Sequence, residues 1–208
     1  MGVLYNAYMK TAVVLLYGLD SPARVDYREY LDKVAGEIGK GGFGKVVLCG
    51  GFTDPQRVDE SEASSVQAYL KDKVGGFENF VLEDRSINTN QNLEYAAGHV
   101  DEGDEVVVFC ERLRLAKVIW TAMHFLLKAG REDIYQELLR YVSLSDLVVA
   151  FKYKNLSVVG FEFGRRSKEE MMDQSFRAIL DVEALYSGEA ERLNVEQRKK
   201  DFNLGRGG

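Results

Sequence analysis

The stretch Ala12-Val-Val-Leu-Leu-Tyr17 is an uninterrupted apolar run that is followed by a turn and then by a helical pattern. Similar short runs recur at 45–49, 79–83 and 106–110, and apolar residues at helical spacing follow each of them. Strands that helices bury on both faces have this unbroken apolar character. The pattern predicts repeated strand-helix-strand units and therefore a parallel sheet.

The segments around these units complete the predicted fold. Ser21 and Pro22 predict the start of the first helix, and Ser167 with Glu170 forms a capping box for a long final helix. Strands predicted at 146–153 and 156–163 form either a hairpin or one added sheet strand plus an edge strand. We predict an α/β fold: a Rossmann-like open, mainly parallel sheet flanked by helices, with an additional C-terminal strand or hairpin and a long helix. A single domain would span 1–187, and a charged tail at 188–208 is expected to fray.

Composition excludes several classes of function. The net charge is −6 with no long run of one sign, which disfavours nucleic-acid binding. The two cysteines and two histidines show no CxxC or HxxxH spacing, so we predict no metal site. The first ten residues lack the features of a signal peptide, and no apolar run approaches the ~20 residues that span a bilayer. We expect a cytoplasmic protein with reduced thiols and no membrane partner.

Ligands of open parallel sheets bind beyond the carboxyl ends of the strands. Four loops lie there: 18–22, 50–62, 83–92 and 111–114. The stretch 39–44 also spells GxGxxG, but it follows a helix and enters a strand, so we interpret it as a plain connection. The search for a site is therefore confined to the four loops.

The second of these loops opens with Gly50-Gly51, which would allow positive φ and close approach of a ligand to the backbone. Glu62 lies in the first turn of the next helix, where it could accept from ligand hydroxyls or help to hold a cation. A structural alternative explains the same residues, because Asp59 or Ser61 would cap the helix and Glu62 would complement its dipole.

The richest polar stretch is Ser86-Ile-Asn-Thr-Asn-Gln-Asn92, at a strand-to-helix junction. An N-cap at Asn88 or Thr89 explains one or two of its polar side chains. The others exceed what capping needs, and they suit a small polar or anionic ligand at a helix N-terminus.

Two arginines, Arg112 and Arg114, follow the fourth strand and could clamp a phosphate or a carboxylate. Alternatively, they pair with Glu62, Glu83 or Glu111 and balance an acidic rim. The predicted ligand-binding residues are Gly18, Gly50, Gly51, Glu62, Glu83, Ser86, Asn88, Thr89, Asn92, Arg112 and Arg114.

The ordered set Gly50-Gly51, Ser61-Glu62-Ala63, Glu83 and Ser86-x-Asn88-Thr89-x-x-Asn92 resembles the YdcF-like family, which includes SanA and ElyC, over roughly 12–128. The resemblance implies a domain of unknown function with a polar pocket at the strand carboxyl ends. S-adenosylmethionine binding is attributed to one member and cell-envelope roles to others. Arg112 stands at the family's usual histidine, and the arginine that follows is either displaced to Arg114 or lost to Leu115. A mechanism that uses this histidine, and the envelope role of anchored members, are therefore not expected here.

Three hypotheses about function follow. The first is a protein that binds a nucleotide-like or anionic small molecule, with S-adenosylmethionine as the cofactor that the resemblance suggests. The second is a hydrolase or group-transfer enzyme in which Glu62 and Glu83 act as paired carboxylates on a phosphorylated or nucleotide-like substrate. The third is a non-catalytic scaffold with a vestigial pocket. The sequence identifies neither the ligand nor the oligomeric state.

Overall fold

A computed structural model describes residues 9–142, 150–162 and 167–187. The strands are β1 (Lys10–Leu15), β2 (Lys45–Cys49), β3 (Phe80–Glu83), β4 (Glu105–Glu111), β5 (Ala150–Tyr153) and β6 (Leu156–Phe161). The helices are α1 (Val25–Gly39), α2 (Glu62–Val74), α3 (Thr89–Ala96), α4 (Leu115–Phe125), α5 (Arg131–Val142) and α6 (Lys168–Tyr186). Short 3-10 turns follow α3 and precede α4.

The six strands form one sheet in the order β3-β2-β1-β4-β6-β5. Every neighbouring pair is parallel except β5 and β6, which are antiparallel. The predicted Rossmann-like α/β fold is therefore confirmed. The two alternatives for the C-terminal strands are both realised. β5 and β6 form a hairpin, and β6 is also added to the sheet beside β4, with β5 at the edge.

Helices cover both faces of the sheet, which explains the unbroken apolar runs. In β1, Ala12 and Val14 pack with α1 and α2 on one face. Val13 and Leu15 pack with α3, α4, α5 and α6 on the other face. Successive strand residues point to opposite faces of the sheet. Both alternating sets of residues in each central strand must therefore be apolar. Since helices cover both faces, a ligand-binding site can lie only in the polar loops at the strand ends.

The first helix begins later than the sequence pattern predicts. Ser21 is not its N-cap; the backbone N–H of Arg24 donates to the Ser21 carbonyl in a turn, and α1 starts at Val25. The Arg24 guanidinium donates to the carbonyls of Tyr17 and Leu19, at 2.7 and 3.1 Å. This contact within the loop folds the chain back onto the end of β1, and α1 begins directly after Arg24. The capping box at Ser167 and Glu170 is as predicted.

Some predictions fall outside the described residues: the tail at 188–208, the first eight residues, and the ends of two predicted strands at 146–149 and 163. Among the helices that are described, none combines the length and the apolar character that a membrane crossing requires.

Candidate functional site

A cavity of about 300 Å³ opens at the carboxyl ends of β1, β2 and β4, beside the first turns of α2 and α3. The chain runs outward from β1 in one direction and from β4 in the other, so this is where the strand order reverses. Doubly wound sheets leave a crevice for ligands at such a point. The lining residues are Leu16, Tyr17, Gly50, Thr53, Glu62, Ser86, Ile87, Asn88, Thr89, Asn92, Glu111 and Arg114.

Most of the predicted binding residues converge on this cavity. Those that line it are Gly50, Glu62, Ser86, Asn88, Thr89, Asn92 and Arg114. Gly18, Gly51, Glu83 and Arg112 are not among the lining residues. Their contacts give each of these four a role within the fold, described below.

The loop between β3 and α3 carries polar atoms that the fold does not use. Four buried side-chain atoms have no hydrogen-bond partner within the described residues: Glu83 Oε2, Ser86 Oγ, Asn88 Nδ2 and Asn90 Oδ1. Ser86 is fully buried and Asn92 nearly so, and both line the cavity. Buried polar groups are satisfied in the great majority of cases, so a cluster of exceptions in one loop calls for a partner from outside the chain.

Two residues of this loop do serve its structure. Glu83 Oε1 accepts from the backbone N–H groups of Arg85 and Ser86, at 2.9 and 3.1 Å. Asn88 is the N-cap of α3, and its Oδ1 accepts from the Gln91 N–H at 3.0 Å. Glu83 thus shapes the turn that holds Ser86, which explains why it lies outside the cavity lining.

The pair Gly50-Gly51 makes room for the chain itself. A Cβ on Gly51 would lie 2.4 Å from the Ser86 carbonyl oxygen and 2.7 Å from that of Asp84. A Cβ on Gly50 would lie 2.7 Å from Glu62 Oε2. Neither glycine has a positive φ. The positive φ that the pair would allow is therefore not used, and the close approach at Gly51 is that of the β3–α3 loop.

The first turns of α2 and α3 differ in how many backbone N–H groups they leave without an acceptor. In α2, the N–H groups of Glu62 and Ala63 donate to the carbonyls of Gly51 and Gly50, and Ser61 is the N-cap. In α3, the N–H groups of Thr89 and Asn90 have no acceptor among the described residues. Of these two helices, α3 is the one whose first-turn backbone donors find no acceptor among the described residues and are left for a ligand.

Glu62 supplies negative charge to the cavity. The carboxylate is almost fully buried, and the Thr53 hydroxyl donates a short hydrogen bond to its Oε1. No cationic side chain lies within salt-bridge distance of Glu62 in the described parts of the chain. Carboxylates in such a setting accept hydrogen bonds from hydroxyl or amino groups.

Arg114 lines the cavity beside the start of α3. Its Nε lies 3.5 Å from Glu111 Oε2, and its Nη1 donates to the Thr89 hydroxyl at 3.3 Å. The guanidinium also stacks over the Tyr17 ring, 5.1 Å from the centroid. Burial holds the pKa of Tyr17 well above its ordinary value, so this side chain is a neutral phenol. Arg114 is nevertheless half exposed, and a ligand can reach it.

The remaining predicted residues lie away from the cavity. Arg112 pairs with Glu162, after β6, instead of any of the three glutamates that the sequence suggested. Gly18 has a φ of +116°, and a Cβ there would overlap the Arg24 guanidinium. Gly18 is needed for the turn after β1, since L side chains rarely adopt this conformation.

The two cysteines at this edge of the sheet are buried thiols. Burial raises the pKa of both Cys49 and Cys110, which lie at the carboxyl ends of β2 and β4. No group of three or more potential metal ligands occurs within the described residues.

Sequence reasoning missed five lining residues: Leu16, Tyr17, Thr53, Ile87 and Glu111. Tyr17 and Glu111 were recognisable in principle, because they follow or end the two central strands at the point where the strand order reverses. No local signal marks Thr53, whose place depends on how the loop after β2 folds onto Glu62.

Comparison of the chain with protein-family models, with curated proteins and with solved structures found no match.

Proposed function

We propose that this protein binds a small, polar, nucleoside-like molecule in the cavity at the carboxyl edge of its sheet. The observation that carries the proposal is that two residues lining the cavity hold a buried polar atom with no partner among the described residues: Ser86 Oγ and Asn88 Nδ2. Leaving a buried polar group unpaired costs ~1–3 kcal/mol, which a ligand that bonds these groups would recover.

The size and rim of the cavity narrow the class of ligand. A volume of about 300 Å³ is at the lower end for ligand pockets, which suits one nucleoside better than a dinucleotide. Ile87 lines the cavity and is half exposed. A flat ring would pack on this apolar side chain while sugar hydroxyls reach Glu62 and the polar interior.

The resemblance to the YdcF-like family supports the same proposal. The shared residues Gly50, Glu62, Ser86, Asn88, Thr89 and Asn92 are lining residues of one cavity. S-adenosylmethionine, the ligand that the resemblance suggests, is a nucleoside with amino and carboxylate groups and belongs to the proposed class. A cytoplasmic location is part of the proposal and agrees with two buried, unpaired thiols.

No reaction is included in the proposal. A hydrolase that uses Glu62 and Glu83 as paired carboxylates has little support, because Glu83 is absent from the lining and one of its oxygens is held by two backbone amides. A scaffold with a vestigial pocket predicts that no ligand binds.

The test compares two deletions of a buried hydroxyl. Ser86→Ala removes a group that lines the cavity, whereas Thr121→Val removes one that donates to the Lys117 carbonyl within α4. Binding of adenosine, AMP and S-adenosylmethionine is measured by thermal shift and calorimetry, with inorganic phosphate as a reference compound. A ligand at 100 times its Kd adds ~2.7 kcal/mol to the free energy of unfolding.

We expect at least one nucleoside to bind the wild type. The same compound should bind Ser86→Ala at least tenfold more weakly and should bind Thr121→Val with unchanged affinity. Native mass spectrometry of the protein as purified provides an independent measurement of occupancy. No binding by any of the three compounds would overturn the proposal.

A further inference from the structure

The cavity meets the starts of two helices, and the polar groups at these two starts differ. Hydrogen-bond donors gather at the α3 end: the Arg114 guanidinium, the Asn88 Nδ2 amide and the Ser86 hydroxyl. The N–H groups of Thr89 and Asn90, at the start of α3, add two further donors without acceptors. At the start of α2 stands Glu62, a carboxylate that only accepts.

A helix N-terminus alone is no evidence for an anion site, but here a second feature points the same way. Ser86 is completely buried, its Oγ has no partner within the described residues, and it lines the cavity beside Thr89. Arg114 reaches the same place, because its Nη1 donates to the Thr89 hydroxyl. Side-chain donors, backbone donors and a positive charge therefore meet at one end of the cavity.

Glu111 limits the charge that this end accepts. Its buried carboxylate lies 3.5 Å from Arg114 Nε and also lines the cavity. The guanidinium is thus already partly neutralised before a ligand arrives. A group with one negative charge would share Arg114 with Glu111, whereas a doubly charged phosphate would face uncompensated repulsion from Glu111.

We infer that the ligand carries one singly charged anionic group, such as a carboxylate, at the α3 end and hydroxyl or amino groups at the Glu62 end. This inference rests on the proposed function and adds to it the charge and the orientation of the ligand. The discriminating residues are Arg114, which binds the anion, and Glu111, which excludes a second charge.

The test uses three nucleosides that differ at one position: adenosine, adenosine-5′-carboxylic acid and AMP, whose phosphate is mainly doubly charged at pH 7.5. Calorimetry measures the Kd of each for the wild type and for Arg114→Gln. Arg112→Gln is the matched control, because Arg112 lies in the same 3-10 turn but pairs with Glu162 outside the cavity.

We expect the carboxylate to bind the wild type at least tenfold more tightly than adenosine or AMP. Arg114→Gln should abolish this advantage and leave the affinity for adenosine nearly unchanged, while Arg112→Gln should retain the advantage. In Glu111→Gln, the preference for the carboxylate over AMP should shrink or reverse.

The outcomes separate the inference from the proposed function. Equal binding of adenosine and its carboxylate, or tighter binding of AMP, would overturn the inference and leave nucleoside binding intact. Loss of the carboxylate's advantage in Arg112→Gln as well would also overturn the assignment to Arg114. Failure of all three compounds to bind the wild type would overturn the proposed function and the inference with it.

Discussion

The two edges of the sheet both carry cavities, and the smaller one is the better candidate. The cavity at the amino edge, about 570 Å³, is lined by apolar residues such as Val106 and Phe125 and by polar ones such as Glu102 and Lys128. The one at the carboxyl edge has about 300 Å³. None of the buried unpartnered side-chain atoms found in the described residues belongs to the lining of the larger cavity. Buried polar atoms without hydrogen-bond partners, more than cavity volume, distinguish a binding site from a gap in packing.

The polar groups of the amino edge serve each other. The buried Asp104 carboxylate accepts from the Met9 N–H, the Thr11 hydroxyl and the Asp101 N–H, at 3.1, 2.9 and 3.3 Å. Its backbone carbonyl accepts from the Asn155 side chain at 2.6 Å, which joins the β5–β6 turn to β4. The amino edge is therefore a structural clamp, whereas at the carboxyl edge Ser86 Oγ and Asn88 Nδ2 have no partner among the described residues.

The largest expected effect lies at the clamp. Asp104→Ala leaves three donors without their charged acceptor and should lower the free energy of unfolding by ~3 kcal/mol. Asp101→Ala is the matched control, because the Asp101 side chain is 75% exposed and pairs with Lys45, so its loss should cost less than ~1 kcal/mol. Urea unfolding measures both, and equal losses would contradict the assignment of the clamp to Asp104.

A smaller loss is expected where the carboxyl edge is built. Gly51→Ala places a methyl group against the carbonyls of Asp84 and Ser86, so the loop must shift, at a cost of ~2 kcal/mol. Gly36→Ala, in the interior of α1 with open space around the added methyl, should instead stabilise by ~0.5–1 kcal/mol. Urea unfolding again provides the measurement. A Gly51→Ala protein as stable as the wild type would show that the loop does not pack on Gly51.

A still smaller effect concerns pH. Desolvation lowers the pKa of His124, at the end of α4, and the carboxylate of Glu94 opposes the shift. In the unfolded chain the imidazole keeps its ordinary pKa near 6.5 and takes up a proton first, so its contribution to stability is lost as pH falls below that value. Between pH 7.5 and 5.5 the wild type should lose up to ~1 kcal/mol more than His124→Gln, allowing for solvent screening.

The same pair of proteins should bind a nucleoside with equal affinity at pH 7.5, because His124 is not among the lining residues. Identical pH dependence of unfolding in the two proteins would contradict the role given to His124. A large change in the affinity for the nucleoside in His124→Gln would show that His124 is coupled to the cavity and would contradict its placement outside the site.

The fold was predictable because a strand that is buried on both faces needs an unbroken apolar run, such as Ala12-Val-Val-Leu-Leu. The polar stretch 86–92 was recognisable for a related reason, since it holds more polar side chains than a helix cap uses. The choice between Arg112 and Arg114 was not predictable. It depends on a 3-10 turn that directs Arg112 to Glu162 and Arg114 to Glu111. The start of the first helix was likewise not predictable, because it goes with a hydrogen bond from the Arg24 side chain to the Tyr17 carbonyl that no local sequence signal marks.

The most direct test of the contrast between the edges is a paired measurement of unfolding free energy without ligand. Thr11→Val and Ser86→Ala each delete one fully buried hydroxyl, at the amino and carboxyl edges respectively. Thr11→Val should cost ~2 kcal/mol, because Asp104 loses a donor. Ser86→Ala should change stability by less than ~0.5 kcal/mol or raise it, because the Ser86 hydroxyl has no partner to lose. A loss of ~2 kcal/mol or more in Ser86→Ala would show that the hydroxyl serves the fold and would contradict the account.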